Sequence, residues 1–180
     1  GDVEATGLSI GGNLNLTEDY LIGVKYSNFE YDEIDGVDIG SLDVEGNGID
    51  FLVGRIIRNS DKVNTLVSLS FGQGDYELDG TELFELSGLV LGVGIYNEVS
   101  EQLILNFGLG VLLSSSVDLN KTDWVWAPGA ESDIEDAAEG DVSLSLGFIY
   151  ELADNISFIG TFETEDFDVN SFGFGLNVHL

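Results

Sequence analysis

Apolar residues recur at every second position along most of the chain. The clearest case is the segment 141–152, in which Val142, Leu144, Leu146, Phe148, Tyr150 and Leu152 fall on one face. Segments 102–114 and 170–180 repeat this pattern. Alternation over so many residues predicts β-strands. We predict about nine strands, at 7–16, 20–30, 48–58, 63–73, 85–96, 102–114, 141–152, 156–164 and 170–180.

Short polar turns alternate with longer connecting segments. The short turns are predicted at 17–19, 59–62, 97–101 and 153–155, and the longer segments at 32–47, 74–84 and 115–140, with a shorter one at 165–169. This order predicts an antiparallel up-and-down meander, with short connections at one end of the sheet and long ones at the other. We interpret residues 1–180 as a single all-β domain.

The second face of the strands decides between two ways of burying the apolar face. A soluble barrel or sandwich turns its apolar face inward, whereas a membrane barrel turns it outward to lipid. Here the second face is rich in glycine, serine and asparagine, and Lys25 is its only clear charge in mid-strand. Small residues suit the inner face of a narrow closed barrel. We therefore favour a transmembrane β-barrel; the alternative is a soluble secreted β-barrel that binds a hydrophobic ligand.

This orientation assigns individual residues to the lipid-facing or the lumen-facing side. The residues expected to face lipid are Leu105, Phe107, Leu146, Phe148 and Phe174, and those expected to face the lumen are Lys25, Asp50, Asn106 and Glu163. Asp50 and Glu163 are both candidate ion-pair partners of Lys25. Arg55 falls on the outer face by strict alternation, so it either snorkels to the membrane interface or marks a β-bulge.

Closure of the barrel limits the strand count. Every backbone polar group must be paired within the hydrocarbon region, and single-chain bacterial barrels have even strand numbers. We favour ten strands, with a first strand preceding Gly1, and keep eight as the fallback.

The chain is strongly acidic, with a formal net charge of −29. This charge excludes a nucleic-acid binder, because phosphate neutralisation requires clustered Lys and Arg. Most of the 34 acidic residues fall in segments at the long-loop end: 1–6, 32–50, 75–85, 118–141 and 163–168. One interpretation of this anionic mouth is that acidic side chains keep the long loops solvated. The other is that they concentrate cations, favour cation passage or bind divalent cations.

At the level of pattern, the chain resembles the small bacterial outer-membrane β-barrels of the porin-like, OmpA-type class. The residues that carry the resemblance are the alternating C-terminal Phe172, Phe174, Leu176, Val178 and Leu180, and the turn-like segment 150–156. The resemblance implies a protein of the Gram-negative outer membrane, with long loops extracellular and with short turns and C-terminus periplasmic. It also implies contact with outer-membrane lipid, lipopolysaccharide and neighbouring barrels. Tyr20 and Tyr150 would then belong to a periplasmic aromatic girdle.

Few residues are candidates for catalysis or metal binding. The single histidine, His179, has no sequence context for a catalytic triad, so we predict no enzymatic activity and no cofactor. The segment 43–48 resembles the opening of an EF-hand loop, but Gly54 stands where the bidentate Glu belongs, which leaves Asp43 and Glu45 as weak metal candidates. With no cysteine, thiolate metal sites are excluded.

Two tryptophans, Trp124 and Trp126, lie in the longest acidic segment and are candidates for contact with head groups or a partner. The predicted function is a non-enzymatic outer-membrane barrel: a narrow, cation-leaning pore, or a structural or adhesive surface protein.

Overall fold

The computed structural model describes residues 3–34, 37–38, 44–121, 142–153, 156–165 and 169–178. These residues form ten strands and contain no helix long and apolar enough to cross a membrane. The strands are β1 (Val3–Asn15), β2 (Tyr20–Ile34), β3 (Val37–Asp38), β4 (Val44–Arg58), β5 (Val63–Leu78), β6 (Thr81–Ser100), β7 (Leu103–Leu119), β8 (Val142–Ala153), β9 (Ile156–Glu165) and β10 (Val169–Val178).

All ten strands belong to one antiparallel sheet in the order β1-β2-β4-β5-β6-β7-β8-β9-β10, with the two-residue β3 paired to β2. The nine long strands correspond to the nine predicted from the sequence. Each pairs with its neighbours in chain order, which confirms the up-and-down meander. Because strand direction alternates, β1 and β10 run in the same direction at the two edges. No ladder joins these edges in the described chain, so closure and a tenth long strand stay predictions.

The sheet is curled. Side chains from β2, β4, β5, β6, β7 and β8 line one common cavity, so six strands bend around the same space. Successive side chains of a strand point to opposite faces. The register therefore sorts the described residues into a concave inner face, which holds the cavity, and a convex outer face.

The outer face carries large apolar side chains that are open to the surroundings. Examples are Leu69, Leu91, Val93 and Phe107, each at least 40% exposed. By contrast, Val117 and Leu119 are the buried hydrophobic residues of the described chain. A soluble protein of this size buries most of its apolar side chains. The sheet therefore has an inside-out distribution of hydrophobic residues.

The distribution reverses at the long-loop end of β4 to β7. There the outer face carries a row of Asn47, Asp75, Glu85 and Asp118, which are direct partners across four strands. The next inner row is Gly46, Tyr76, Phe84 and Leu119. Beyond the apolar band, then, the sheet is polar outside and apolar inside, as in a soluble protein.

Strands continue into two of the predicted long segments. The segment 74–84 continues β5 to Leu78 and β6 from Thr81, and the first residues of 115–140 continue β7 to Leu119. The prediction of a long loop at 74–84 is wrong, because acidic residues alternate there with apolar ones and the alternation of a strand persists. Asp79 and Gly80 alone form the turn, with φ of 50° and 72°.

Positive φ at both turn residues is the requirement of a type I′ hairpin, for which Asp-Gly is a favoured pair. We expect Gly80→Val to destabilise the protein by about 1–2 kcal/mol, because a β-branched residue is strained at positive φ. Thr81→Val, at the first position of β6, is the matched control and should change stability by less than about 0.5 kcal/mol. Denaturant unfolding of both variants tests this; equal midpoints would contradict the turn assignment.

Strand β7 contains a β-bulge opposite the Leu89–Val90 step of β6. Leu89 pairs with Ser114 and Val90 with Leu112, so Leu113 is the extra residue. Strict alternation continued from Leu105 and Phe107 would have turned Val117 and Leu119 outward and Asp118 inward. The bulge reverses this orientation and places Val117 and Leu119 on the inner face, where they are buried.

Candidate functional site

The candidate site is a row of residues across the middle of the inner face. The row runs Gly11, Lys25, Asp50, Gly72 and Gly88 through five neighbouring strands, each residue the direct partner of the next. Two charged side chains are thus flanked by glycines on both sides. Glycine leaves space above the sheet that a side chain would occupy.

Lys25 and Asp50 form an ion pair with a distance of 3.1 Å between Nζ and Oδ2. The two side chains are 57% and 41% exposed, so water screens the pair and its contribution to stability is about 0–1 kcal/mol. Of the two partners considered from the sequence, the structure selects Asp50. Glu163 lies on β9, several strands away.

Gly72 leaves the space that the Asp50 carboxylate occupies. A Cβ atom at position 72 would lie 2.6 Å from Oδ1 of Asp50. Any larger residue there would displace the carboxylate from its position beside Lys25. The sequence showed only a glycine in a strand, and the need for it follows from the register.

A cavity of about 420 Å³ lies around this ion pair and reaches to both sides of its row. Its polar part includes Ser27, Ser70 and Ser115, and the Oγ atom of Ser115 is buried without a hydrogen-bond partner in the described chain. Its apolar part is Phe29, Tyr76 and Leu86 on the long-loop side of the row, and Val90 and Leu112 on the short-turn side. Apolar side chains therefore border the polar middle of the cavity on both sides.

Aromatic rings narrow the mouth of the cavity. Tyr76 and Phe84 stack with ring centroids 4.6 Å apart, and Phe29 meets Tyr76 edge-on at 6.2 Å. Sequence analysis missed this cluster, because Tyr76 and Phe84 lie in the segment interpreted as a loop. The alternation of acidic and apolar residues at 75–78 was the signal that could have found it.

Asn106 and Glu163 also lie on the inner face. Asn106 is the direct partner of Tyr96 and Gly147, and Glu163 of Ser145 and Ser171. Tyr96 points inward with them, as strict alternation predicted. Neither Asn106 nor Glu163 lines the cavity beside Lys25 and Asp50.

The five residues predicted to face lipid all lie on the outer face. Leu105, Phe107, Leu146 and Phe174 are 46%, 45%, 53% and 74% exposed. Phe148 is half-buried, because its ring lies over Gly160 and beside Phe158 at 5.8 Å. None of the five packs into a dry centre.

Arg55 stands on the outer face opposite Tyr20, with its guanidinium carbon 5.8 Å from the centre of the tyrosine ring. Both ladders of β4 keep a continuous register at this position. The interpretation of Arg55 as a bulge marker is therefore wrong, and its side chain belongs to the apolar surface.

Some sequence candidates lie outside the described residues: Asp43, Trp124, Trp126 and His179. Glu45 is half-buried in β4, opposite Glu30 and Glu77. In the part of the chain that the structure describes, no three His, Cys, Asp or Glu side chains come close enough to hold a metal ion.

An all-β meander with large apolar side chains outside and glycine, serine and one ion pair inside is the architecture of transmembrane β-barrels. The predicted all-β, antiparallel up-and-down fold is confirmed, and its curled sheet resembles part of a small porin-like barrel; closure of the barrel stays a prediction.

No protein-family model and no curated protein sequence matches the chain. The solved structures that resemble it at low sequence identity include two outer-membrane proteins. The KdgM porin is 7% identical, with a TM-score of 0.48 over 98% of this chain and 95% of that one. The outer membrane channel DcaP of Acinetobacter baumannii is 12% identical, with a TM-score of 0.38 over 93% of this chain and 60% of that one.

Proposed function

We propose that the chain is an integral outer-membrane β-barrel protein without enzymatic activity that forms a narrow, cation-leaning pore. One observation carries the membrane assignment: the outer face exposes large apolar side chains on eight of the nine long strands, while two hydrophobic residues of the described chain are buried. Contiguous exposed apolar surface of this extent is incompatible with a folded monomer in water. The bilayer is the surroundings in which it is stable.

The orientation of the protein follows from its two ends. The apolar band ends at one side in short turns and at the other in a sheet with an acidic outer face. We place the acidic end outside the cell and the short turns in the periplasm. The acidic end would meet lipopolysaccharide and divalent cations there.

The cation preference rests on charge. The net charge of −29 attracts cations to the mouth over a Debye length, and the inner ion pair is neutral as a whole. A narrow lumen that is lined with small polar groups, between the mouth and the inner ion pair, would pass small ions. If the lumen is occluded at the aromatic mouth, the protein is instead a structural or adhesive surface barrel.

Ion selectivity in planar bilayers tests the pore, with Asp50→Asn as the informative variant. At roughly 8 Å in water a unit charge changes the energy of a monovalent cation and of a monovalent anion by about 0.5 kcal/mol each, in opposite directions, so we expect about a fivefold lower cation-to-anion permeability ratio. Asp75→Asn is the matched control: it removes the same charge from the outer face, where the sheet separates it from the lumen, so the ratio should fall by less than with Asp50→Asn. The reversal potential in a KCl gradient measures the ratio.

Three outcomes would contradict the proposal in different ways. Anion preference of the unmodified protein would overturn the cation-leaning pore, and absence of conductance would leave the structural role. A protein that is folded and monomeric in buffer without detergent would overturn the membrane assignment and favour the soluble ligand-binding barrel.

A further inference from the structure

Arg55 lies at a border on the outer face. Its partner Tyr20 is the first residue of β2, and the carbonyl of Asp19 accepts a hydrogen bond of 2.7 Å from the amide of Ile56. The polar turn therefore begins directly beside Arg55. On the other side, the apolar surface continues with Val53, which is 59% exposed.

Arg55 has no acidic partner among the described residues, although the chain holds 34 acidic residues and only 5 basic ones. Within the described residues, no carboxylate oxygen lies within 4.0 Å of its guanidinium. Arg58, three residues further along β4, is paired with Glu18 at 3.5 Å and also donates to the Glu18 carbonyl at 3.2 Å. Glu18 therefore neutralises Arg58, whereas Arg55 has no such ion pair within the described residues.

The guanidinium is held in a defined place by Tyr20. A cation over a tyrosine ring at an exposed site gains about 0.5–1 kcal/mol, which orients the group without neutralising it. Five N–H donors remain in a planar fork that matches the oxygens of a phosphate. At the boundary between hydrocarbon and water, the anion available at this depth is the phosphate of a lipid head group.

We propose that Arg55 and Tyr20 form a binding site for the phosphate of a phospholipid in the membrane leaflet on the short-turn side. The guanidinium binds the phosphate oxygens, the tyrosine ring supports it, and the exposed Val53, on the hydrocarbon side of Arg55, contacts an acyl chain. The inference rests on the proposed membrane location, and it is independent of conductance.

The test is lipid retention by the protein released from vesicles of phosphatidylethanolamine and phosphatidylglycerol into detergent. Bound lipids are counted by native mass spectrometry. We expect Arg55→Gln to weaken phosphatidylglycerol binding about tenfold, because a charge-assisted bidentate hydrogen bond is lost. Arg58→Gln is the matched control and should bind lipid as the unmodified protein does, since Arg58 is occupied by Glu18.

Further variants separate a specific site from general charge. Arg55→Lys keeps the charge but loses the planar fork, so we expect intermediate binding. Tyr20→Ala should weaken binding, while Tyr20→Phe, which keeps the ring, should not. Inorganic phosphate at millimolar concentration should not displace the lipid; complete displacement would show that the site binds free phosphate and would overturn the lipid assignment.

Failure of the inference and failure of the proposed function are distinguishable. If Arg55→Gln and Arg58→Gln insert, conduct and retain lipid equally, the lipid site is wrong and the membrane barrel stands. If the unmodified protein does not enter vesicles, both are wrong.

Discussion

Leu69→Lys is expected to destabilise the protein in a lipid bilayer by about 2–4 kcal/mol, the effect of a lysine at mid-depth on the lipid face of a barrel. Leu69 pairs with Val53 and Leu91 on the outer face and is 45% exposed. Ser68→Lys, one position away, should destabilise it by less than about 1 kcal/mol, because surface changes open to water have small effects. Ser68 points inward between Gly54 and Gly92, where a lysine can extend into the lumen.

These two variants test the inside-out assignment directly, since each introduces a lysine at neighbouring positions of β5, one on the outer face and one on the inner face. The free energy of unfolding in vesicles is measured by denaturant titration of each variant. A reversed order, with Ser68→Lys the more damaging, would mean that the inner face is the dry one.

Deletion of Leu113 is expected to be tolerated, with a change in stability within about 1 kcal/mol for loss of one exposed side chain. Leu113 is the extra residue of the bulge in β7. Without it, Leu112 still points inward and Ser114 outward, so the strand becomes regular and both faces keep their residues. The thermal unfolding midpoint in detergent measures the change.

Deletion of Leu69 is the control with the opposite expectation. The ladder between β4 and β5 has no register shift, so no bulge can absorb the missing residue. Every residue of β5 beyond the deletion would change face, with Phe71 turned inward and Gly72 outward. We expect no folded protein from this deletion; equal behaviour of the two deletions would contradict the bulge assignment.

The strands were predictable because the two faces differ in chemistry over long stretches. In β8, for example, leucine and phenylalanine alternate with serine and glycine, and the pattern alone predicts both the strand and its orientation. The same contrast predicted that Leu146 and Phe174 lie on the outer face.

The extent of the strands was not predictable in the same way. At 75–78, acidic residues replace the apolar ones on the outer face, and aromatic residues replace the small ones on the inner face. The period of two is unchanged, but the charges resemble those of a solvated loop. Reading periodicity without regard to polarity would have continued β5 to Leu78.

Strand register is the second feature that the sequence alone does not predict. The sequence offered Asp50 and Glu163 as partners of Lys25, and only the pairing of β2 with β4 decides between them. The bulge at Leu113 is invisible for the same reason, because its effect is defined by the partner strand. Arg55 likewise could be placed only once both of its ladders were seen to be continuous.

The reversal of polarity at the long-loop end bears on how the protein sits in membranes of different composition. Sinking deeper would bring Asp75, Glu85 and Asp118 into hydrocarbon, and Arg55 with Tyr20 limits movement in the opposite direction. Tilting does not relieve the mismatch in a thicker bilayer, because it shortens the span of the apolar band along the membrane normal. A thicker bilayer would therefore have to thin around the protein, and sorting between membranes by hydrophobic mismatch follows from the sequence itself.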